Sequence, residues 1–419
     1  MNRSQSSPLG LSGKESGQER TSAGRPATLD RRLVDQLSKR FDSSRVRFTL
    51  WDEPAVSAEN RGLPVTLRFS DRGALLQLLT YPEANFGDLY SSGRITVDGD
   101  LRIVLDEAFR HASQNPGLSR VLARLRATTP DLSDSRRNIH HHYDIGNDFY
   151  RLWLDREALQ YTCAYYANPA MSLDQAQQAK MHHVCRKLRL ESGEHVVEAG
   201  GGWGGFALFM AKHYGVHVRS FNISTEQIAW SREWAKREEL ADRVEFVEDD
   251  YRNISGRYDA FVSVGMLEHV GLGNYRQLGA LINRVLTAEG RGLVHSIGRD
   301  RVIPLNPWIA RRIFPGAYPA TLREMMEIFE PNGLSVLDVE NLRLHYARTL
   351  EHWLENYEAH VDAIRSLFDE AFVRAWRLYL AGSNRAFEHG TLQLFQVLFS
   401  RSGMNAIPRT RAHLYASGD

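Results

Sequence analysis

The 419-residue sequence has only two cysteines, Cys163 and Cys185, and no Cys-x-x-Cys pair. That excludes a disulfide-stapled scaffold and a cysteine zinc site, and it fits a reducing, cytoplasmic setting. An excess of either charge is also missing, since 52 lysines and arginines face 51 aspartates and glutamates. A net charge of +1 supplies no general basic field, so no nucleic-acid partner is expected. There is no apolar run of membrane-spanning length, and the mean hydropathy is −0.41, so a transmembrane helix is not expected either. The first residues, rich in Ser, Gly, Gln and charge, lack the apolar centre of a secretory signal.

What is present is chain enough for two or three compact units. The expected division is a disordered tail over 1–27, a small α+β domain over 28–126, a linker over 127–138 and a large domain over 139–419. Apolar spacing predicts a helix from Leu33 to Phe41, then strands at Val46–Leu50 and Val65–Phe69. Helical spacing returns at Ala74–Leu79 and Leu101–Phe109. The stretch around Thr129, Pro130 and Asp131 has linker chemistry, because proline and short polar side chains interrupt regular structure.

Beyond the linker, Ser172 and Gln175 have capping-box spacing and open a helix to about Leu188. A strand at His195–Ala199, a glycine-rich turn at Gly200–Gly205 and a helix from Phe206 to Tyr214 follow. Further strands are expected at Val216–Phe221, Val244–Val247, Ala260–Val264 and Gly292–Ile297, with a helix opening at Ser224. Strands alternating with helices predict an α/β, Rossmann-like sheet, mainly parallel and covered on both faces. Thr349 to about Ala381 is helical in pattern and rich in aromatic residues.

The glycine turn lies where an open parallel sheet places its ligand crevice, at the carboxyl end of the first strand. Glycine permits close backbone approach there and positive φ in a tight turn. A dinucleotide site would carry an acidic residue about 20 positions on for the ribose. Here that region reads Phe221-Asn222-Ile223-Ser224-Thr225-Glu226-Gln227. The amides of Asn222 and Gln227 can serve a ribose instead, while the plain alternative is that Ser224 and Gln227 form only another capping box. Asp250 and Tyr251 can bond and stack an adenine, or form an ordinary polar loop. Glu268 ends an apolar strand, where a carboxylate at the sheet's carboxyl edge serves the crevice more readily than the core. The consecutive histidines His140, His141 and His142 do not converge on one ion in extended chain, so no metal is expected.

With these residues in view, the sequence resembles the cyclopropane-fatty-acid synthase family, including the mycolic acid cyclopropane synthases. The likeness is carried by His142–Tyr150, Tyr161–Tyr166, Gly201–Gly205, Gly265–Gly271, His295–Gly298, Ile313–Gly316 and His345–Leu350. More weakly, Phe86–Tyr90 and Val97–Leu101 resemble that family's lipid-associated N-terminal domain. One departure stands in the turn: the family commonly has Asp-Ile-Gly-Cys-Gly-Trp-Gly where this chain has Glu198-Ala199-Gly200-Gly201-Gly202-Trp203-Gly204.

The resemblance implies a methyltransferase that uses S-adenosylmethionine to build a cyclopropane ring on unsaturated acyl chains of membrane phospholipid. A related outcome is a methylene or methyl branch. It implies a cofactor set of Tyr161, Glu198, Gly200, Gly202, Trp203, Gly204, Asn222, Ile223, Gln227, Asp250 and Tyr251. It also implies a bicarbonate ion held by Cys163, Glu268, His295, the backbone of Ile297 and Tyr346, and a homodimer. Taken singly, Cys163, His295 and Tyr346 also fit plain core or packing roles. The π faces of Tyr165, Tyr166 and Tyr346 are candidates for stabilising a carbocation. A soluble enzyme acting on phospholipid needs peripheral membrane contact at the inner face of the membrane. Trp308–Phe314, apolar with two arginines, is the candidate surface, with a buried helix as its alternative, and Arg136 and Arg137 are candidates for added positive potential.

Overall fold

The computed structural model describes residues 8–10, 25–41, 44–53, 64–114 and 145–415. The linker expected at 127–138, His140–His142, Arg136 and Arg137 lie outside the described residues, as does most of the tail expected at 1–27. The chain forms two compact units that do not follow its linear order. The first takes residues 1–129, 303–315 and 353–389, and the second takes 130–302, 316–352 and 390–419. A continuous large domain over 139–419 therefore does not describe the packing.

In the first unit, β1 (Val46–Thr49) runs parallel to β2 (Val65–Phe69), which pairs antiparallel with β3 (Ile95–Asp98). Their apolar positions, among them Phe48, Leu67, Phe69 and Ile95, bury a core with Ala74, Leu75 and Leu78 of the Arg72–Thr80 helix. Asp71 caps that helix by accepting from Ala74 N at 2.9 Å, and Arg94 holds the carboxylate in place at 2.6 Å.

Two apolar side chains of the candidate membrane segment are buried in the same unit. Trp308 is 3 % exposed and Ile313 is 0 % exposed. A Cβ on Gly87 would lie 2.3 Å from the Trp308 ring, so only glycine admits it. Asp88 takes the Trp308 indole N–H at 3.0 Å and ion pairs from Arg311 and Arg312. Trp308 and Ile313 turn inward and both arginines have a carboxylate partner, which supports the buried-helix alternative for this segment. Arg312 also donates to the carbonyls of Leu9 and Gly10, and Leu9 is buried. Those residues of the expected tail are thus held in the unit.

The second unit is built on an 8-stranded sheet in the order β10-β11-β8-β7-β4-β5-β6. Its strands are β4 (His195–Ala199), β5 (His217–Asn222), β6 (Val244–Glu248), β7 (Tyr258–Val264), β8 (Leu286–Arg299), β9 (Ala320–Thr321), β10 (Leu334–Asn341) and β11 (Gln393–Arg401). Strands β4 to β8 pair in parallel, as the alternation predicts, and β9 adds to β8. Strands β11 and β10 extend the sheet antiparallel beyond β8. Sequence spacing gave neither of these two strands. The stretch expected as one helical segment from Thr349 is three helices, Arg343–Ala359, Val361–Leu367 and Glu370–Glu388, before the chain returns as β11.

Apolar layers cover both sheet faces: Phe206, Met210, Ile228 and Val184 on one, Leu278, Ile282, Ile328 and Phe329 on the other. This explains why strands such as Ala260–Val264 read as continuous apolar runs.

Candidate active site

From β4 the chain winds one way to β5 and β6, then returns to place β7 on β4's other side. At this reversal the strand ends separate and leave a crevice. A cavity of about 450 Å³ opens there, lined by the residues following β4, β5, β6 and β7 and by Leu159–Thr162. Every residue of the expected cofactor set lines it except Gly204. Gly204 acts from behind, since it starts the Gly205–Tyr214 helix at φ +83° and a Cβ would meet Phe246 at 2.7 Å.

The crevice is shaped by local bonds. Asn222 donates to Gly202 O at 3.0 Å and to Gln227 Oε1 at 2.8 Å. That fixes the Gln227 amide, whose Nε2 is buried without a hydrogen-bond partner and is a donor for a bound acceptor. Ser224 does cap its helix by accepting from Gln227 N. The Gln227 side chain, however, goes to Asn222, so capping and cavity lining coexist. Trp203 donates from its indole to Asn147 at 2.7 Å and packs 4.9 Å from Tyr150, while Tyr161 packs 5.4 Å from the same ring. Glu198 is 3 % exposed and accepts from Ser220 Oγ at 2.6 Å. Burial pushes its carboxyl up to about 7, against the lowering effect of Ser220 and Lys180.

The departure from the family turn has a steric logic. A Cβ at position 201 would lie 2.0 Å from Ser220 Oγ and 2.9 Å from Glu198 Oε2. Glycine there leaves room for a glutamate, one methylene longer than aspartate, to reach Ser220.

Beside the cavity lies a second set of buried polar groups. Glu268 follows β7 in a short 3₁₀ turn and accepts from Ile297 N of β8 at 2.7 Å. Its other oxygen, Oε2, is buried without a partner. Burial raises this carboxyl to about 7. His295 sits on β8 two residues before Ile297, so both side chains leave the same face of the strand. It is 2 % exposed, and its Nε2 is also buried without a partner. Burial drives its basicity well below that of free histidine, so the ring is neutral.

Backbone bonds connect this set to the cavity wall. Gly265, which lines the cavity, donates to His295 O at 2.9 Å. Cys163 follows Thr162 of the wall, and its thiol approaches Leu342 O at 3.9 Å. Leu342 in turn accepts from Tyr346 N at 3.1 Å and donates to Leu394 O at 2.8 Å, opposite Ile297. The five expected anion ligands are therefore linked through adjoining strands and one helix start. None of them lines the cavity itself.

Tyr165 does not offer a free π face. Its ring stacks against His183 at 4.2 Å and His345 at 4.8 Å. Tyr166 stacks on His345 and on His352 in turn. The two tyrosines are interleaved with histidines.

Sequence reasoning missed Lys180, which is 0 % exposed. Its ammonium donates to Gln160 Oε1 at 2.5 Å and Thr162 Oγ1 at 3.1 Å and lies over the Phe206 ring. It thereby fixes three residues of the cavity wall from behind. Burial lowers its basicity to about 8, with Asp155, Cys163 and Glu198 opposing. The one signal was a lysine on the apolar face of an otherwise amphipathic helix. His269, half-buried in the wall and lowered to about 4 by desolvation, was likewise passed over as a neighbour of Glu268.

Residues 131–397 match the family model described as mycolic acid cyclopropane synthetase. The chain belongs to that family. A Pseudomonas putida protein named "Probable fatty acid methyltransferase" is 38 % identical over 365 residues, covering 81 % of this chain and 89 % of its own. The cyclopropane-fatty-acyl-phospholipid synthase of Escherichia coli K12 is 39 % identical over 267 residues, 64 % of this chain and 68 % of its own. Among solved structures, the cyclopropane synthase MmaA2 of Mycobacterium tuberculosis superposes with a TM-score of 0.61 at 27 % identity, covering 66 % of this chain and 100 % of its own. The mycolic acid cyclopropane synthase CmaA1, solved with SAH and CTAB, gives 0.60 at 28 % identity, covering 64 % and 98 %. The protein is an S-adenosylmethionine-dependent methyltransferase of the fatty-acid methyltransferase and cyclopropane synthase group. Among the described residues no helix is long and apolar enough to cross a membrane, and no group of three metal-ligating side chains occurs.

Proposed function

We propose that the enzyme transfers a one-carbon unit from S-adenosylmethionine to the cis double bond of an unsaturated acyl chain in membrane phospholipid and closes it to a cyclopropane. The observation that carries this reading is the pair of buried, unpartnered polar atoms, Glu268 Oε2 and His295 Nε2, beside the cavity. A methyltransferase acting on an amine or a hydroxyl has no need of such a set. An alkene does: its π electrons take the methyl, the C–S bond breaks, and the resulting carbocation must lose a proton from the new methyl group before the ring closes.

Stranding a buried donor or acceptor costs about 1–3 kcal/mol, so these atoms fit a small ligand with both donor and acceptor oxygens. A bicarbonate ion, when bound, would supply the base for that proton. His295 and Tyr346 would hold its oxygens, and Cys163 is a weak further donor with its thiol kept protonated by burial. Glu268 and an anion would repel by roughly 4 kcal/mol at about 4 Å and an effective dielectric near 20. The carboxylate form therefore accepts the hydroxyl proton of the ion, and the raised Glu268 basicity supports that role. The cavity residues Gln227, Asn222, Asp250 and Tyr251 support the nucleoside end of the methyl donor. The same reading takes the enzyme to be a homodimer that works in the cytoplasm against the inner face of the membrane.

The Pseudomonas relative is named for methyl transfer to a fatty acid without a ring, and a methylene or methyl branch at the same alkene is the second reading. Incubation with unsaturated phospholipid vesicles and methyl-labelled S-adenosylmethionine, with and without bicarbonate, separates these readings. Product NMR should show cyclopropane protons, and Glu268→Gln should lower turnover by about 10² or more while donor binding stays unchanged. Branched product would move the assignment to the second outcome, and donor binding without methyl incorporation would overturn both.

A further inference from the structure

A neutral histidine has two tautomers, and only one presents a donor at Nε2. In this protein a buried lysine lies two hydrogen bonds away from His295. Lys187, in the last turn of the Leu173–Leu188 helix, is 2 % exposed. Its ammonium donates to Glu340 Oε2 at 2.6 Å and to Gln396 Oε1 at 2.8 Å. An ammonium has donors and no acceptor. The Gln396 atom that faces it is thus the carbonyl oxygen, since the reversed amide would set NH₂ against NH₃⁺.

With the oxygen committed to Lys187, the amide nitrogen of Gln396 faces His295 Nδ1 at 3.1 Å. An amide nitrogen donates and does not accept. Nδ1 must therefore carry the lone pair, which leaves the ring proton on Nε2. Gln396 is 1 % exposed and stands directly opposite His295 across the β11–β8 ladder. The sheet register fixes this bond, with no mobile loop involved. Glu340 of β10 anchors the far end, where it also meets His183 Nε2 at 2.7 Å.

We infer that Lys187 and Gln396 are positioning residues that lock His295 in the Nε2–H form and so build a buried hydrogen-bond donor for an anion beside the cavity. The identity of that anion rests on the reading above, whereas the tautomer follows from Lys187 and Gln396 alone. With Lys187 charged, no other arrangement of the three side chains matches a donor to an acceptor at both the Lys187–Gln396 and the Gln396–His295 contacts.

The tautomer is readable by NMR of the full chain labelled with ¹⁵N at histidine, because protonated and bare ring nitrogens resonate far apart. The His295 signals are assigned by their loss in His295→Asn, or from through-space contacts to β11 if that variant does not fold. The wild type should show Nε2–H throughout about pH 6 to 8, the range in which an unperturbed histidine titrates. Gln396→Glu, an acceptor in place of the donor, should move the proton to Nδ1. Lys187→Met should release the amide and give a mixture, and Lys187→Arg, also without an acceptor, should restore Nε2–H.

In degassed buffer, the apparent KM for added bicarbonate should rise at least tenfold in Gln396→Glu and Lys187→Met and return in Lys187→Arg, with the KM for S-adenosylmethionine unchanged. An Nδ1–H or doubly protonated His295 in the wild type overturns the lock, whatever the variants do. A tautomer that switches as described while turnover ignores bicarbonate sustains the lock and overturns the anion reading.

Discussion

On the parallel side of the large sheet, β4, β5 and β6 meet their cavity mainly with turns: Gly200–Trp203 and Asp249–Asn253 follow directly on a strand, and Asn222–Ile223 spans the end of β5. On the other side, β7, β8 and β11 meet the neighbouring polar set with single side chains from distant segments, Glu268, His295 and Gln396. The first region is held by close packing around glycine, and a fault there is steric. The second is held by donors and acceptors that must match one another, and a fault there is electrostatic. The same fold thus carries one site sensitive to volume and one sensitive to protons.

The largest test of that contrast is pH. The folded Glu268 carboxyl titrates at about 7, against 4.5 for the free group. Between these values the unfolded chain gives up the proton and the folded chain keeps it, so folding takes up a proton. The contribution is fully present below the unfolded value and is lost as pH rises through the folded one. That rise of the Glu268 carboxyl corresponds to ~3 kcal/mol. The gap in unfolding free energy between wild type and Glu268→Gln, from denaturant titrations near pH 4.5 and pH 8, should shift by about that amount in favour of the wild type at low pH. His295 contributes with the opposite sign but is common to both proteins and cancels. A gap independent of pH would mean that this carboxyl is not desolvated.

The contrast also governs what could be read from the sequence. The glycine turn, the Asn222–Gln227 stretch and the Asp250–Tyr251 pair are contiguous motifs at strand ends, so spacing alone located that side of the cavity, whereas the Leu159–Thr162 wall was not read from spacing. Strands β10 and β11 escaped because Leu334–Asn341 and Gln393–Arg401 earn their pairing from contacts with residues far along the chain. Lys187 and Gln396 escaped for the same reason: a lysine in a last helical turn reads as a favourable charge near the helix end, and only pairing with β8 gives it an amide to orient. Trp308–Phe314 stayed open between a lipid surface and a buried helix because its amphipathic composition suits a lipid surface as well as the Gly87 notch and Asp88 carboxylate that receive it. Glu268 stood out at the end of an apolar strand, His295 and Tyr346 came from family resemblance, and the bonds tying them to the cavity wall came from the fold.

A smaller effect is expected on the volume-sensitive side. Gly201→Cys places a Cβ where Ser220 Oγ stands and should break the Ser220–Glu198 bond. Donor affinity should fall about tenfold, ~1.4 kcal/mol, with the bicarbonate response untouched. Shortening the carboxylate in the double variant Glu198→Asp with Gly201→Cys should recover most of that loss, because the aspartate withdraws from the added side chain. Isothermal titration with S-adenosylhomocysteine reads both. Additive losses in the double variant would show that the two departures from the family turn are independent.

The smallest effect should come from Arg252, at the same cavity rim. Its guanidinium pairs with Asp250 at 3.2 Å and stacks over Tyr251, but the side chain is 44 % exposed. Exposed pairs of this kind contribute about 0–1 kcal/mol. Asp250 is held independently of it, by accepting the Arg252 backbone N–H at 3.0 Å, a bond that survives truncation of the side chain. Arg252→Ala should therefore weaken S-adenosylhomocysteine by less than about fivefold, and added salt should shrink even that difference. A loss as large as that of Gly201→Cys would mean that the rim of this cavity depends on charge as much as the polar set beside it, and the division between the two regions would fail at its most exposed point.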